Sequence, residues 1–295
     1  MNSKQIPMGV INLTPNSFSD GGKYFDPSQL IATLRAYHQT SSNELTPFCL
    51  DFGAESTAPF NQAITAIEEW QRYEEYLLPL LENAEVLKLL EQAQFSIDSY
   101  HPQTIEKLLP LLVQVTKKRV IWNDISGVID QQAISLLKKN SELDYVFCHN
   151  LAPDREQSSS HMDYIYDGEY AIEDHLKLFF EEGLEKLASH DIDLKRIILD
   201  PCFGFSKSSE HNWQLLKESD TYIHCHKRWV LGVSKKSFLQ QLSCGRDKEQ
   251  KREYSERFHL LILANWMKKY SQYNIYYRIH DLSVFMDAKK AQKLI

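Results

Sequence analysis

Residues 8–22 read MGVINLTPNSFSDGG, and the architecture follows from this stretch. Met8 to Leu13 is a short apolar run interrupted by Gly9 and Asn12. A run of this kind, bounded by turn residues, reads as a buried parallel strand. The loop behind it holds Thr14, Pro15, Asn16, Ser17, Ser19, Asp20, Gly21 and Gly22. Its hydroxyl, amide and carboxylate groups suit an anionic ligand or a metal ion better than a bare connection.

The same unit recurs along the chain. Phe48 to Gly53 leads into Ala54-Glu55-Ser56-Thr57-Ala58-Pro59, and Phe95 to Asp98 ends in Ser99. Val120 to Asp124, Tyr145 to His149, Ile197 to Pro201, Trp229 to Ser234 and Ile275 to Asp281 complete the set. Helical spacing appears between them: Ile105, Leu108, Leu109 and Leu112; then Ile172, Leu176, Phe179, Leu184 and Leu187; then Phe258, Leu261, Ile262 and Asn265. Asp130 and Asp174 stand where helices gain from acidic first turns. Strands alternating with helices, with no internal repeat or low-complexity linker, predict an α/β fold: one (β/α)8 TIM barrel over residues 1–295. A doubly wound open sheet is the competing arrangement, and neither GxGxxG nor GxxxxGK[ST] occurs to support it. The polar stretch from Leu151 to Glu169 is long for a connection and predicts a loop over the site or a mobile segment.

Composition narrows the partners. Hydrophobic residues make up 43% and charged residues 25%, ordinary for a globular chain. A net charge of −7 argues against non-specific binding to nucleic acid or a membrane surface, so an anionic substrate needs local cations. Cys49, Cys148, Cys202, Cys225 and Cys244 form no CxxC pair and read as reduced thiols. Seven residues before the first strand leave no room for a signal peptide, and no apolar run reaches a membrane span. The expectation is a cytoplasmic protein.

In a barrel, polar residues at the C-terminal ends of strands read as the active site. Here those ends hold Asn12, Asp51, Asp98, Asn123 with Asp124, His149, Asp200, Ser234 to Ser237, and Arg278 with His280. Simpler readings stand beside this one. Asp98 or Ser99 can cap the third helix, Lys235-Lys236 can be a solvated pair, His280 can be a core histidine, and Phe203 and Phe205 can be packing residues. His149-Asn150 can border the site, and His224-Cys225-His226 lacks the second cluster that a metal centre needs.

The segments MGVINLTPNSFSDGG, LDFGAEST, FSIDS, IWNDISG, LDPCFGFSK, LGVSKKSF and YYRIHD together resemble the dihydropteroate synthases of the pterin-binding barrel family. The resemblance runs in the family's order from Met8 to about Leu294. It implies Mg²⁺ as cofactor and two substrates, a dihydropterin pyrophosphate and p-aminobenzoate. Asn12 resembles the asparagine that helps hold magnesium and the pyrophosphate. Asp98, Asn123 and Asp200 resemble the polar floor under the pterin. Lys236 resembles the lysine over the pterin, and Ser237 the neighbour that holds the p-aminobenzoate carboxylate. Phe205 resembles an aromatic wall, Thr57 a loop threonine near the second substrate, and Lys207 a lysine lining the entrance. Arg278 and His280 resemble the pair at the pyrophosphate end, and the catalytic set is Asp98, Lys236, Arg278 and His280. A homodimer is also expected.

The chemistry is consistent with those residue types. A pterin edge presents a fork of N–H donors that one buried carboxylate, Asp200, can accept, while Asn123 offers both donor and acceptor. A departing pyrophosphate develops charge that Mg²⁺, Arg278 and His280 can stabilise. Asp98 is a suitable counter-charge for a cationic pterin methylene. The aniline nitrogen is a weak nucleophile that needs positioning, in keeping with the absence of a Ser-His-Asp or Cys-His set.

The chain departs from the family pattern at three places: Ala58 stands where a loop arginine is usual, Asn16 where aspartate is usual, and Cys202 where glycine is usual. Two function classes follow: an authentic synthase, and a pterin-binding paralogue without synthase activity. A methyltetrahydrofolate-type methyltransferase is disfavoured, because that reaction needs no pyrophosphate site.

Overall fold

The computed structural model describes residues 4–14, 27–44, 47–55, 63–91, 93–243 and 247–295. In chain order the elements are β1 (Gln5–Asn12), α1 (Pro27–Glu44), β2 (Cys49–Gly53), α2 (Ala66–Tyr76), α3 (Leu78–Leu81), α4 (Ala84–Leu90) and β3 (Gln94–Asp98). There follow α5 (Pro102–Thr116), β4 (Val120–Asp124), α6 (Gln131–Lys139), β5 (Leu143–Cys148), α7 (Ile172–Ser189) and β6 (Ile197–Asp200). The chain continues through α8 (Ser209–Lys217), α9 (Ser219–Ile223), β7 (Arg228–Leu231), α10 (Ser237–Gln240), α11 (Lys248–Lys269), β8 (Asn274–Ile279) and α12 (Leu282–Ala291). All neighbouring strands pair in parallel, and β8 pairs back onto β1, so the sheet closes into the expected barrel. No helix among the described residues is long and apolar enough to cross a membrane.

Two cores result from the two faces of each strand. Ile6, Met8, Cys49, Ile121, Val146, Ile198, Val230 and Tyr276 form a cluster distinct from the one between strands and helices. Their alternates Ile97, Trp122, Tyr145, Phe147, Leu199, Trp229 and Tyr277 pack outward beneath the helices. The first set therefore fills the barrel interior. Polar groups close its N-terminal mouth: Arg119 Nε and Arg228 Nη2 each reach an Asp144 oxygen at 2.6 Å, and Tyr276 Oη donates to Gln94 at 3.0 Å.

Two helix faces differ from expectation by one residue. In α7, Phe180 is fully buried, whereas Phe179 is partly buried and stacks on Phe147 at 5.0 Å. In α11 Ser255, His259, Leu263, Ala264, Trp266 and Met267 are buried, while Leu261 is 57% exposed and Asn265 is exposed too. That helix carries apolar residues on more than one face: Phe258 and Ile262 of the expected stripe pack partly against the core, and Leu261 and Asn265 do not. Asp130 caps α6, its carboxylate accepting from Ala133 N at 2.8 Å. His224 and His226 pair with Tyr273 and the Ile197 carbonyl and serve as structural groups.

Candidate active site

Continuing the inward alternation of each strand by two residues reaches the C-terminal mouth. Cys49 gives Asp51, Ser96 gives Asp98, Ile121 gives Asn123, Val146 gives Cys148, Ile198 gives Asp200, and Tyr276 gives Arg278. On β1 the same parity ends at Asn12. The apolar interior thus changes to a polar ring within one layer, and above it lies a cavity of about 340 Å³.

Arg278 organises the ring. Its Nε donates to Asp51 Oδ2 at 2.7 Å and its Nη2 to Asp98 Oδ2 at 2.5 Å. Asn123 Nδ2 also donates to Asp51 Oδ2, at 3.1 Å, which leaves the buried Asn123 Oδ1 without a partner and facing the site as an acceptor. Burial pushes the Asp98 carboxyl up; Arg278 pulls it back, and Asp51 and Glu55 push it up again. Asp98 therefore serves this charge cluster and not a helix cap: α5 is preceded at its N-cap by His101, whose amide donates to Ser99 Oγ.

On the opposite side, Asp200 Oδ1 accepts from Cys202 N at 2.7 Å. Burial raises the Asp200 carboxyl, opposed by that amide and by Lys236, Arg278 and Lys207. Lys236 Nζ lies 4.6 Å from the centre of the Phe205 ring, a cation–π distance, and burial lowers its pKa. Gly204 makes this approach possible. It sits at φ 86°, and a Cβ there would meet Lys236 Cδ at 3.2 Å. At the rim, His280 Nδ1 shares a hydrogen bond of 3.0 Å with Ser234 Oγ. His280 keeps an exposed edge, yet loss of water around the imidazole and then the charges of Lys235, Arg278 and Lys236 drive its pKa down.

The long stretch after β5 is a folded cover. Arg155 donates to Asp124 at 2.7 Å, to Asp130 at 2.6 Å and to the Val128 carbonyl at 2.7 Å, and lies over the Trp122 ring. Asn150 holds the Ile125 and Ser158 carbonyls, and its Oδ1 accepts from Ser206 Oγ. So anchored, the segment brings buried His161 onto Phe205, ring centres 3.8 Å apart.

On the β2–β3 side two carboxyl groups sit close to the site. Glu55 borders the cavity, and its Oε1 accepts from Tyr100 Oη at 3.1 Å and Ile64 N at 3.3 Å. Burial pushes its pKa up to about 7. Glu69, fully buried, accepts from Ser99 Oγ at 2.8 Å and from Thr104 Oγ1, and burial raises it to about 8.

A model of pterin binding enzymes matches residues 8–267 of this sequence. The chain belongs to that family. A bifunctional dihydropteroate synthase/dihydropteroate reductase of Helicobacter pylori is 28% identical over 99% of this chain and 68% of its own length. A dihydropteroate synthase of Neisseria meningitidis serogroup C is 29% identical over 96% of this chain and 90% of its own. The chain spans about half of some curated relatives, 49% of a folate synthesis bifunctional protein of Arabidopsis thaliana among them. The solved dihydropteroate synthase of Xanthomonas albilineans with 4-aminobenzoic acid superposes with a TM-score of 0.70. It covers 99% of this chain and 93% of its own at 24% identity, and shows the fold.

Against this family frame, Asn12, Asp98, Asn123, Asp200, Phe205, Lys236, Ser237, Arg278 and His280 all border the one cavity. Lys207 does not line an entrance. It is buried behind the wall, where its Nζ donates to the His149 and Phe205 carbonyls at 2.9 Å each. A lysine whose stem packs inside with carbonyl partners for its ammonium is a tie between β5 and the β6 loop. Arg278 pairs with two carboxylates, because the acids on β2 and β3 lie within its reach across the mouth. His149 lies behind the wall and pairs with His175 at 3.1 Å. Thr57 and Ala58, with Asn16 and Asp20, lie outside the described residues. Sequence reasoning passed over Glu55 and His161. Glu55 stood two residues beyond a strand end and carried a readable signal; His161, inside a serine-rich stretch, carried none.

Proposed function

We propose that this chain is a dihydropteroate synthase, joining p-aminobenzoate to 6-hydroxymethyl-7,8-dihydropterin pyrophosphate to give 7,8-dihydropteroate and pyrophosphate. The observation that carries this reading is the polar ring of Asp98, Asn123, Asp200 and Arg278 under one cavity, in a family of pterin binding enzymes. In this reading Asp200 accepts the N–H fork of the pterin, and the unpartnered Asn123 Oδ1 accepts a further N–H. Asp98, held by Arg278, faces the methylene as positive charge develops there. Lys236 covers the ring plane, Phe205 and His161 form the aromatic wall beside it, and Ser237 takes the p-aminobenzoate carboxylate. The cations Arg278 and Lys236, with His280, stabilise the leaving pyrophosphate inside a site that limits water.

The cofactor in this reading is Mg²⁺, and the donor chemistry fits. A hard cation of this kind keeps several waters and is held by one or two protein oxygens plus substrate phosphates. The Asn12 amide oxygen, on the β1 side of the same cavity, is such a donor. When bound there, Mg²⁺ would supply positive charge to neutralise the pyrophosphate. A cytoplasmic location is supported by the anionic, reduced-thiol composition. A homodimer through the late helices belongs to the same reading. Sulfonamides, as mimics of p-aminobenzoate, would compete for the second subsite.

Purified chain with Mg²⁺ and both substrates should form dihydropteroate; none above background would reject the synthase. Ala58 in place of the usual arginine favours one other reading, a pterin-binding paralogue without turnover. Calorimetric titration with the pterin pyrophosphate and then p-aminobenzoate separates the two. A paralogue binds only the first, and an enzyme binds both.

A further inference from the structure

On β5 the inward position of the polar ring is a thiol. Cys148 is fully buried, and its backbone pairs in register with Asp200 on β6. Two residues beyond Asp200, Cys202 adopts φ 54°, a left-handed conformation that strains any residue with a Cβ. Its amide donates to Asp200 Oδ1, and this turn carries the Cys202 side chain back over the end of β5. A sulfur of Cys148, a sulfur of Cys202 and a carboxylate oxygen of Asp200 all lie within 4.8 Å of one another. Asp200 and Cys202 border the cavity, so a small ion has a route to them.

We propose that Cys148, Asp200 and Cys202 form a site for a thiophilic divalent cation of the Zn²⁺ class, at the floor of the pterin cavity. Two sulfurs and one oxygen supply three corners of a tetrahedron, and the fourth opens to the cavity for water. Zinc–thiolate bonds of about 2.3 Å place the two sulfurs about 3.8 Å apart, within reach of small side-chain rotations from the observed spacing. On binding, both thiols lose their protons to solvent. Two thiolates and one carboxylate around a dication leave one net negative charge. Lys207 and Lys236, the ammonium groups that act on Cys202 and Asp200, balance it. A hard ion such as Mg²⁺ gains nothing from the sulfurs, so this site is distinct in chemistry from the one at Asn12. Asp200 is also the group assigned above to the pterin. The metal and the pterin therefore exclude each other, a consequence that rests on the proposed function, whereas metal binding itself does not.

The reduced, metal-free full chain should be titrated with Co²⁺ as a spectroscopic probe. The expected result is a thiolate-to-cobalt charge-transfer band with intense visible bands of a tetrahedral ion, bleached by Zn²⁺ and unaffected by Mg²⁺. Cys202→Gly, whose residue suits φ 54°, and Cys148→Ser should both lose the band, with unchanged far-UV circular dichroism confirming the fold. Absence of the band in the parent chain, or its survival in both variants, overturns the site. Dihydropterin pyrophosphate should suppress the band; persistence of the full band at saturating pterin overturns the exclusion. In turnover assays Zn²⁺ should inhibit the parent chain competitively against the pterin, with inhibition lost in Cys202→Gly. A cobalt site in a chain with no turnover rejects the synthase reading alone, while full turnover with no cobalt site rejects the metal proposal alone.

Discussion

Arg278 donates from Nη2 to Asp98 Oδ2 at 2.5 Å, joining the C-terminal ends of strands that lie well apart in the barrel wall. The guanidinium fork also takes Asp51, so one cation serves two acids. Asp98→Asn keeps the shape and removes the charge that the proposed reaction sets against the pterin methylene. Loss of a charged hydrogen bond of about 1.5–3 kcal/mol predicts a fall of roughly ten- to a hundredfold in kcat/KM. Steady-state kinetics on folded variant protein measure it, and unchanged kinetics would remove Asp98 from the chemistry.

Arg155 ties the cover over the site to the barrel. Its side chain is 11% exposed and that of its partner Asp124 is fully buried. Arg155→Ala strands a buried carboxylate and should destabilise the fold by roughly 3 kcal/mol. Arg155→Lys should recover little, because one ammonium cannot reach acceptors spread around a guanidinium. Thermal unfolding reads the first effect. Faster hydrogen exchange across residues 151–169, with a higher KM for p-aminobenzoate, reads the release of His161.

Glu69 predicts a pH dependence of stability. Its folded pKa of about 8 lies above the ordinary 4.5, so the folded state holds a proton that the unfolded state releases. The stability this provides is complete below about pH 4.5 and disappears as pH rises through about 8. Glu69→Gln fixes the neutral form and should flatten the decline of melting temperature over that range. The parent chain should lose on the order of 5 kcal/mol across it through this group. Parallel slopes in the two proteins would show that Glu69 is not the source.

Glu55 predicts a pH dependence of binding. As pH rises through about 7 this carboxyl ionises and adds negative charge to the cavity wall. Affinity for an anionic pterin pyrophosphate should therefore fall between about pH 6 and 8, and Glu55→Gln should reduce that fall. Calorimetry at several pH values tests this, since Asp98 remains titratable in the variant and accounts for the residue of the slope.

Ala58→Arg restores the cation usual in the family. It should raise kcat/KM by about tenfold and sharpen inhibition by sulfonamides, in line with one charged hydrogen bond. Equal inhibition of both proteins would remove this loop position from the explanation.

Much of the site was readable because a strand alternates strictly. Once the eight apolar runs were identified, their polar C-terminal ends had to meet at one mouth, and Asn12, Asp98, Asn123, Asp200 and Arg278 do. Lys207 was misread because a lysine in a polar motif looks solvent-facing, and nothing in the sequence shows the carbonyls waiting behind the wall. Leu261 of α11 was misread because Leu261 and Leu263 are equally apolar, and only the neighbouring α12 and α10 decide which one is covered.

Taken alone, the sequence determined the barrel and the residues that ring its mouth, since strand periodicity and family motifs are local properties of the chain. Three relationships were decided only by the tertiary structure: Arg278 between Asp51 and Asp98, Arg155 beneath the cover, and the thiols of Cys148 and Cys202 beside Asp200. Each joins groups from different strands or loops. Its energy depends on distance and burial, which exist only once the sheet has closed.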